Sequence, residues 1–141
     1  MVELDNNSLK CISIFEGITG AAVADCMMVE GSFSFVVPQG QMGRAIGKKG
    51  SSINRVRTAF KKPVYIFEDS DTMEGFIKNL FVNIPIKNIN IHEKISDKVA
   101  YVTVSESDRG QAIGKSGLRV KVCRAMLKRR FGCDLKINSK K

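Results

Sequence analysis

Two four-residue stretches carry the residue types that could hold a phosphate: Gly47-Lys48-Lys49-Gly50 and Gly114-Lys115-Ser116-Gly117. Glycine lets the backbone turn sharply and keeps side chains away from a closely approaching ligand. Each stretch precedes a segment with helical spacing, so N–H groups at a helix start would add partial positive charge. Lys48, Lys49 and Lys115 add full charges, and Ser116 adds a hydroxyl donor. A single Gly-Lys-x-Gly is a common turn. Here Gly47 recurs at Gly114, 67 positions on, and the pairs Gly43/Gly110, Ala45/Ala112, Ile46/Ile113, Ile53/Val120 and Arg57/Arg124 keep that offset. Such self-similarity marks two copies of one folding unit.

The elements around the loops can be read from apolar spacing. Ser8 to Ile18 reads as a helix, with Leu9, Ile12, Ile14, Phe15 and Ile18 mostly three or four apart. Ala22 to Met28 and Ser32 to Val37 read as strands joined at Glu30-Gly31. Gln41 to Ile46 is a short helix entering the first loop. Ser51 to Phe60 is the helix leaving it, and Val64 to Phe67 is a strand. Glu68 to Asp71 is a polar linker.

The second copy repeats this order. A helix over Thr72 to Val82, capped by Asp71, leads it. Strands follow at Lys87 to His92 and Lys98 to Val104, the latter alternating through Val99, Tyr101 and Val102 with Tyr101 exposed or at an edge. Helices at Ser107 to Ile113 and Leu118 to Phe131 flank the second loop, and Leu135 to Ile137 closes the sheet. Lys140-Lys141 reads as a frayed tail. Units of about 70 residues are marginal for a private core, so the two are expected to pack on each other.

Charge follows the loops. The chain of 141 residues has a formal charge of +9. Residues 38–62 carry seven bases and no acid, and residues 109–141 carry eleven bases and one acid, Asp134. Residues 63–108 carry four bases and eight acids. An acid-free stretch is the footprint of a polyanion partner, whereas a solvated face mixes signs.

Other chemistry is poorly supported. The nucleotide-binding P-loop needs four residues between its first Gly and its Gly-Lys pair. The second copy has three, with Arg109 where that Gly should stand. The first has Met42 there, and Lys49 where a hydroxyl should hold magnesium. The four cysteines, Cys11, Cys26, Cys123 and Cys133, form no C-x-x-C pair, which argues against zinc and for reduced packing thiols. His92 is the single histidine, read as structural in its strand. No catalytic triad can be assembled. No secretion signal or membrane span is expected.

With Ile before each loop and an aliphatic residue six positions after its first Gly, the paired pattern resembles the KH domain, and the whole chain resembles a tandem pair. The element order resembles the type II (prokaryotic-type) topology. Gly40-Gln41-Met42-Gly43-Arg44-Ala45-Ile46-Gly47-Lys48 and Phe15-Glu16-Gly17-Ile18-Thr19-Gly20 are similar to the short archaeal form of the NusA transcription factor family. The resemblance implies an α+β fold of two tandem type II KH domains, residues 1–69 and 70–141, each a three-stranded sheet packed against helices.

It also implies that each unit clamps about four nucleotides of single-stranded RNA with its Gly-x-x-Gly loop. Gly47, Lys48, Lys49, Gly50 and Gly114, Lys115, Ser116, Gly117 would be the clamps. Ile46, Ile53, Ile113 and Val120 would floor the base groove, and Arg44, Arg55, Arg57, Arg119, Lys121 and Arg124 would line its approach. Phe33 and Phe35 would pack under the helices rather than stack on bases. The plainer reading of the aliphatics is core, and that of the bases is a solvated face.

The implied role is a cytoplasmic, non-catalytic factor in transcription termination or antitermination, without cofactor or membrane, with RNA polymerase as a candidate partner. The additional domains of the bacterial relatives are not expected to fit in this length, so a polymerase role does not carry over automatically. A KH factor in ribosome assembly or translation is one alternative. A small nucleotide-binding ATPase or GTPase is another, from a different class. Single-stranded DNA is compatible with the same loops.

Overall fold

The computed structural model describes residues 6–141. Residues 1–5, which the expected first domain includes, lie outside the described residues. The chain divides into two compact units, Met1–Ser70 and Asp71–Lys141.

The first unit runs α1 (Asn6–Thr19), β1 (Asp25–Val29), β2 (Ser32–Val37), α2 (Met42–Ile46), α3 (Ser51–Phe60) and β3 (Val64–Glu68). Its sheet has the order β1-β2-β3, with β1 antiparallel and β3 parallel to the middle strand. Antiparallel neighbours can be joined by a two-residue turn, and Glu30 (φ 47°) and Gly31 (φ 79°) supply the two positive φ angles it needs. A parallel neighbour demands a longer crossover. That crossover is α2, the Gly-rich loop and α3. The parallel pairing is therefore what places the loop between two helices.

Strand alternation puts Phe33, Phe35 and Val37 on one face of β2. Phe35 is fully buried, stacks on Phe15 of α1 at 4.2 Å, and lies 5.7 Å from Phe60 of α3. Phe33 lies 4.6 Å from Phe60. Both aromatics thus pack against helices, as expected. Val37, Ala45, Val56, Val64 and Ile66 complete this core. Burying a side chain of Phe size stabilises by roughly 1.5–3 kcal/mol, so Phe15 and Phe35 are main contributors.

The second unit runs α4 (Met73–Leu80), β4 (Ile86–Glu93), β5 (Lys98–Ser105), α5 (Glu106–Ile113), α6 (Leu118–Phe131) and β6 (Asp134–Lys140). Its sheet repeats the topology, with β4 antiparallel and β6 parallel to β5. The mixed α+β architecture is that expected. Two lengths differ between the units. The leading helix has 8 residues in α4 against 14 in α1, and the helix after the loop has 14 in α6 against 10 in α3. The extra turn of α6 carries Lys128, Arg129 and Arg130.

Several local expectations need correction. The cap of α4 is Thr72, not Asp71: Thr72 is extended (φ −111°, ψ 147°) and its Oγ1 accepts from Gly75 N at 3.0 Å. A cap must reach the N–H two or three residues on, and Thr72 does. The buried row of β5 is Ala100, Val102 and Val104, so Val99 and Tyr101 lie on the opposite face. Tyr101 belongs to the middle strand and meets His92 edge-on at 5.1 Å. Glu68 ends β3 rather than opening a linker, and Lys140 is in β6 rather than a tail. β1 starts at Asp25, three residues later than expected. All four thiols are free, with Cys26, Cys123 and Cys133 buried. Among the described residues no helix is long and apolar enough to cross a membrane.

Candidate nucleic-acid interface

The two loops adopt one backbone shape. Gly47 (φ 77°, ψ 170°) and Gly114 (φ 82°, ψ 173°) occupy a region essentially restricted to glycine. Lys49 (φ 55°, ψ 30°) and Ser116 (φ 56°, ψ 24°) are left-handed, as are Gly50 (φ 76°, ψ 15°) and Gly117 (φ 73°, ψ 12°). Gly47 N donates to Gly43 O at 2.8 Å and Gly114 N to Gly110 O at 2.9 Å. Gly50 N donates to Gly47 O, and Gly117 N to Gly114 O, both at 3.1 Å.

The first glycine of each loop is also required by space. A Cβ on Gly47 would lie 2.5 Å from Ser52 Oγ and 2.7 Å from Ser52 N. On Gly114 it would lie 2.6 Å from Arg119 Cβ and 2.9 Å from Arg119 N. The loop is therefore pressed onto the first turn of the following helix. Neither α3 nor α6 has a side-chain cap or an acid in its first turn. Those N–H groups and the positive end of the helix dipole can accept an anion. Each loop joins a helix to a helix, α2 to α3 and α5 to α6, whereas a P-loop joins a strand to a helix.

Around the first loop Arg44, Lys48, Lys49 and Arg57 are exposed, and Ile46 and Ile53 are half-buried. Ile53 packs on the edge of the core, so it is part floor and part core. Ile53 and Arg57 lie one helical turn apart and share a face of α3. Arg55 falls on a different face. It lines a cavity of about 440 Å³ with Ile18 of α1 and Asn54, Thr58 and Ala59. That separation is legible in the two-residue step from Ile53 to Arg55, roughly opposite directions on a helix.

Around the second loop Lys115, Ser116 and Lys121 are exposed, and Ile113 and Val120 are half-buried. Two arginines have specific backbone partners. Arg119 is half-buried and its Nη2 donates to Leu80 O at the end of α4, at 2.9 Å. It is thus directed at α4 rather than along the loop's approach. Arg124 is exposed, and its Nε donates to Leu135 O on β6 at 2.9 Å. Beneath Arg119, burial pushes the Cys123 thiol up to about 12, partly offset by the arginine's charge. Nothing in the sequence signals Leu80 O as a partner, because a backbone carbonyl has no residue signature.

Comparison with known proteins decides what this arrangement belongs to. The sequence pattern of the KH domain matches residues 11–94. A protein of Halococcus morrhuae named "Probable transcription termination protein NusA" is 35% identical over 133 residues, covering 94% of this chain and 95% of its own. The chain belongs to the archaeal NusA family of KH proteins. Its counterpart in Halobacterium salinarum, with the same name, is 31% identical over 133 residues. Among solved structures, the crystal structure of APE1850 superposes with a TM-score of 0.81 at 37% identity, covering 96% of this chain and all of that one. The two NusA relatives each cover 94% of this chain and APE1850 covers 96%, so the likeness runs through both units.

Proposed function

We propose that the protein is a single-stranded RNA-binding factor of transcription termination or antitermination. The observation that carries this is the pair of loops with matching backbone angles, each opening an uncapped helix inside a stretch poor in acids. The names of the NusA relatives supply the process.

On this reading residues 1–69 and 70–141 are the two KH domains. Gly47 to Gly50 and Gly114 to Gly117 hold phosphates through backbone N–H groups, with Lys48, Lys49, Lys115 and Ser116 as side-chain donors. Ile46 and Ile53, and Ile113 and Val120, offer the apolar surface for bases. Arg44, Arg57, Lys121 and Arg124 supply charge along the strand, and Arg119 supports the second loop from behind. The protein performs no catalysis, works in the cytoplasm on nascent RNA, and has RNA polymerase as its candidate partner.

Replacing Lys48, Lys49, Lys115 and Ser116 by Asp should abolish RNA binding with the fold intact by circular dichroism. Partial variants should reduce the slope of log affinity against log salt by about 0.7 for each phosphate no longer neutralised. Unchanged affinity and slope in the fourfold variant would refute the clamp.

A further inference from the structure

The second sheet differs from the first in size and in one aromatic ring. β4, β5 and β6 have 8, 8 and 7 residues, against 5, 6 and 5 in β1, β2 and β3. The buried row Ala100, Val102 and Val104 belongs to the core, so Val99, Tyr101 and Thr103 look away from it. Residues paired across strands share a face. Asn90 and Lys136 therefore flank Tyr101, and Asn88 and Asn138 flank Thr103. All four flanking residues are exposed, and Tyr101 is half-buried. At the offset of the repeat, Tyr101 stands where the first unit has Ser34.

A sheet face turned to water is ordinarily polar and needs no aromatic at its centre. This one carries Tyr101 there, and exposed His92 meets it edge-on at 5.1 Å. In an edge-to-face pair each ring keeps at least one broad face clear of the other. An aromatic face among amides and ammonium groups matches single-stranded nucleic acid: the ring stacks a base, amides reach base edges and lysines meet phosphates. The charge agrees. Lys136 and Lys140 lie on this face, with Lys140 opposite Ser105. The acid on it, Asp134, lies at the far end, its Oδ1 accepting from Leu135 N at 2.8 Å. β5 and β6 are parallel, so Lys140 stands at the end from which α5, about 12 Å long, leads to the second loop.

We propose that this sheet face is a second single-stranded RNA surface, with Tyr101 as its stacking platform, for nucleotides running on from the clamp at Gly114 to Gly117. The proposal goes beyond the loops but rests on the RNA-binding reading above, because two lysines capture no strand unaided. A strand already held by the clamps reaches the face intramolecularly, where a weak contact adds to affinity.

The test uses the full chain and fluorescence anisotropy with labelled A-C repeat strands of eight and sixteen nucleotides, which cannot pair with themselves. Two clamps at about four nucleotides each are filled by the short strand. Tyr101→Ala should weaken the long strand about tenfold and leave the short one unchanged. Tyr101→Phe, which keeps the ring, should bind the long strand like the unsubstituted chain. Lys136→Ala should lower the salt slope of the long strand by about 0.7. Equal binding of the long strand by the unsubstituted chain and Tyr101→Ala would overturn the inference and leave the clamps standing. So would a loss shared by both strands, because the substitution would then act through the fold of the second unit. A long strand bound as before, with self-association in sedimentation lost in Tyr101→Ala, would give the face to a second copy and also overturn it. Failure of the unsubstituted chain to bind either strand would refute the RNA-binding reading, and the sheet face with it.

Discussion

Exchanging the loop glycines for alanine one at a time separates two demands that the motif makes of them. Gly47 sits at φ 77°, ψ 170°, where an L residue costs on the order of 1–3 kcal/mol. There is also no room for a methyl group, because its carbon would lie 2.7 Å from the backbone N of Ser52. Comfortable contact begins near ~3.5 Å, so the loop and α3 must part by about 1 Å. Gly50 differs. Its left-handed φ of 76° carries a cost of about 1–2 kcal/mol for alanine. The nearest atom to its Cβ would be Asn54 Nδ2 at 3.7 Å, an ordinary contact.

Gly47→Ala should therefore destabilise the first unit by about 3 kcal/mol, strain and overpacking together. Gly50→Ala should cost about 1 kcal/mol. A loop moved by about 1 Å can no longer align its N–H groups on one phosphate, and RNA affinity should fall tenfold or more, about 1.4 kcal/mol. Gly50→Ala leaves the loop in place and should weaken binding far less. Gly114→Ala and Gly117→Ala should repeat the contrast, since the neighbours of Gly114 are Arg119 Cβ and N at 2.6 and 2.9 Å. Urea unfolding followed by circular dichroism, with anisotropy for binding, measures both effects. Equal losses at Gly47 and Gly50, or a larger loss at Gly50, would refute the close-approach argument.

Two further outcomes follow from the second unit. Arg119→Ala should lower its stability by about 1–3 kcal/mol, by removing a charged donor from Leu80 O, yet leave the salt slope of RNA binding unchanged. A reduced slope would return Arg119 to the phosphate path. The Cys123 thiol ionises near 9.0 when unfolded and at about 12 when buried, so the native state retains a proton that the unfolded chain loses. The stability this gives is fully present below pH 9 and is lost as pH rises toward 12. Denaturant midpoints at pH 7.5 and pH 10 should fall less in Cys123→Ala than in the unsubstituted chain. An identical fall would remove Cys123 from the alkaline response.

Backbone-level features are legible because they have local causes. The glycines of the loops, the spans Ser51–Phe60 and Leu118–Phe131, and the hairpin at Glu30-Gly31 follow from φ preferences and apolar spacing within a few residues. The repeat makes the second copy a check on the first. Sequence reasoning fails where two local signals compete. Asp71 and Thr72 are both good caps, and only the backbone dihedrals of Thr72 decide between them. Tyr101 and Val102 cannot share one face of β5, because neighbouring strand residues face opposite ways, and the pairing with β4 and β6 puts Val102 in the core.

By itself the sequence determined that there are two copies of one unit, where each turns on a glycine loop, and that positive charge gathers there. These depend on residue type and order alone. The tertiary structure decided which of the matched basic residues lie open around the loops and which are tied to backbone. Arg57 and Arg124 are the same residue at the same place in the repeat, yet only Arg124 is fastened to a strand edge. Arg119 stands where the first unit has Ser52, and it reaches the end of α4. The partners are carbonyl oxygens of Leu80 and Leu135, which every residue possesses. Their availability depends on where a helix ends and which way a strand edge faces, and only the folded chain sets that.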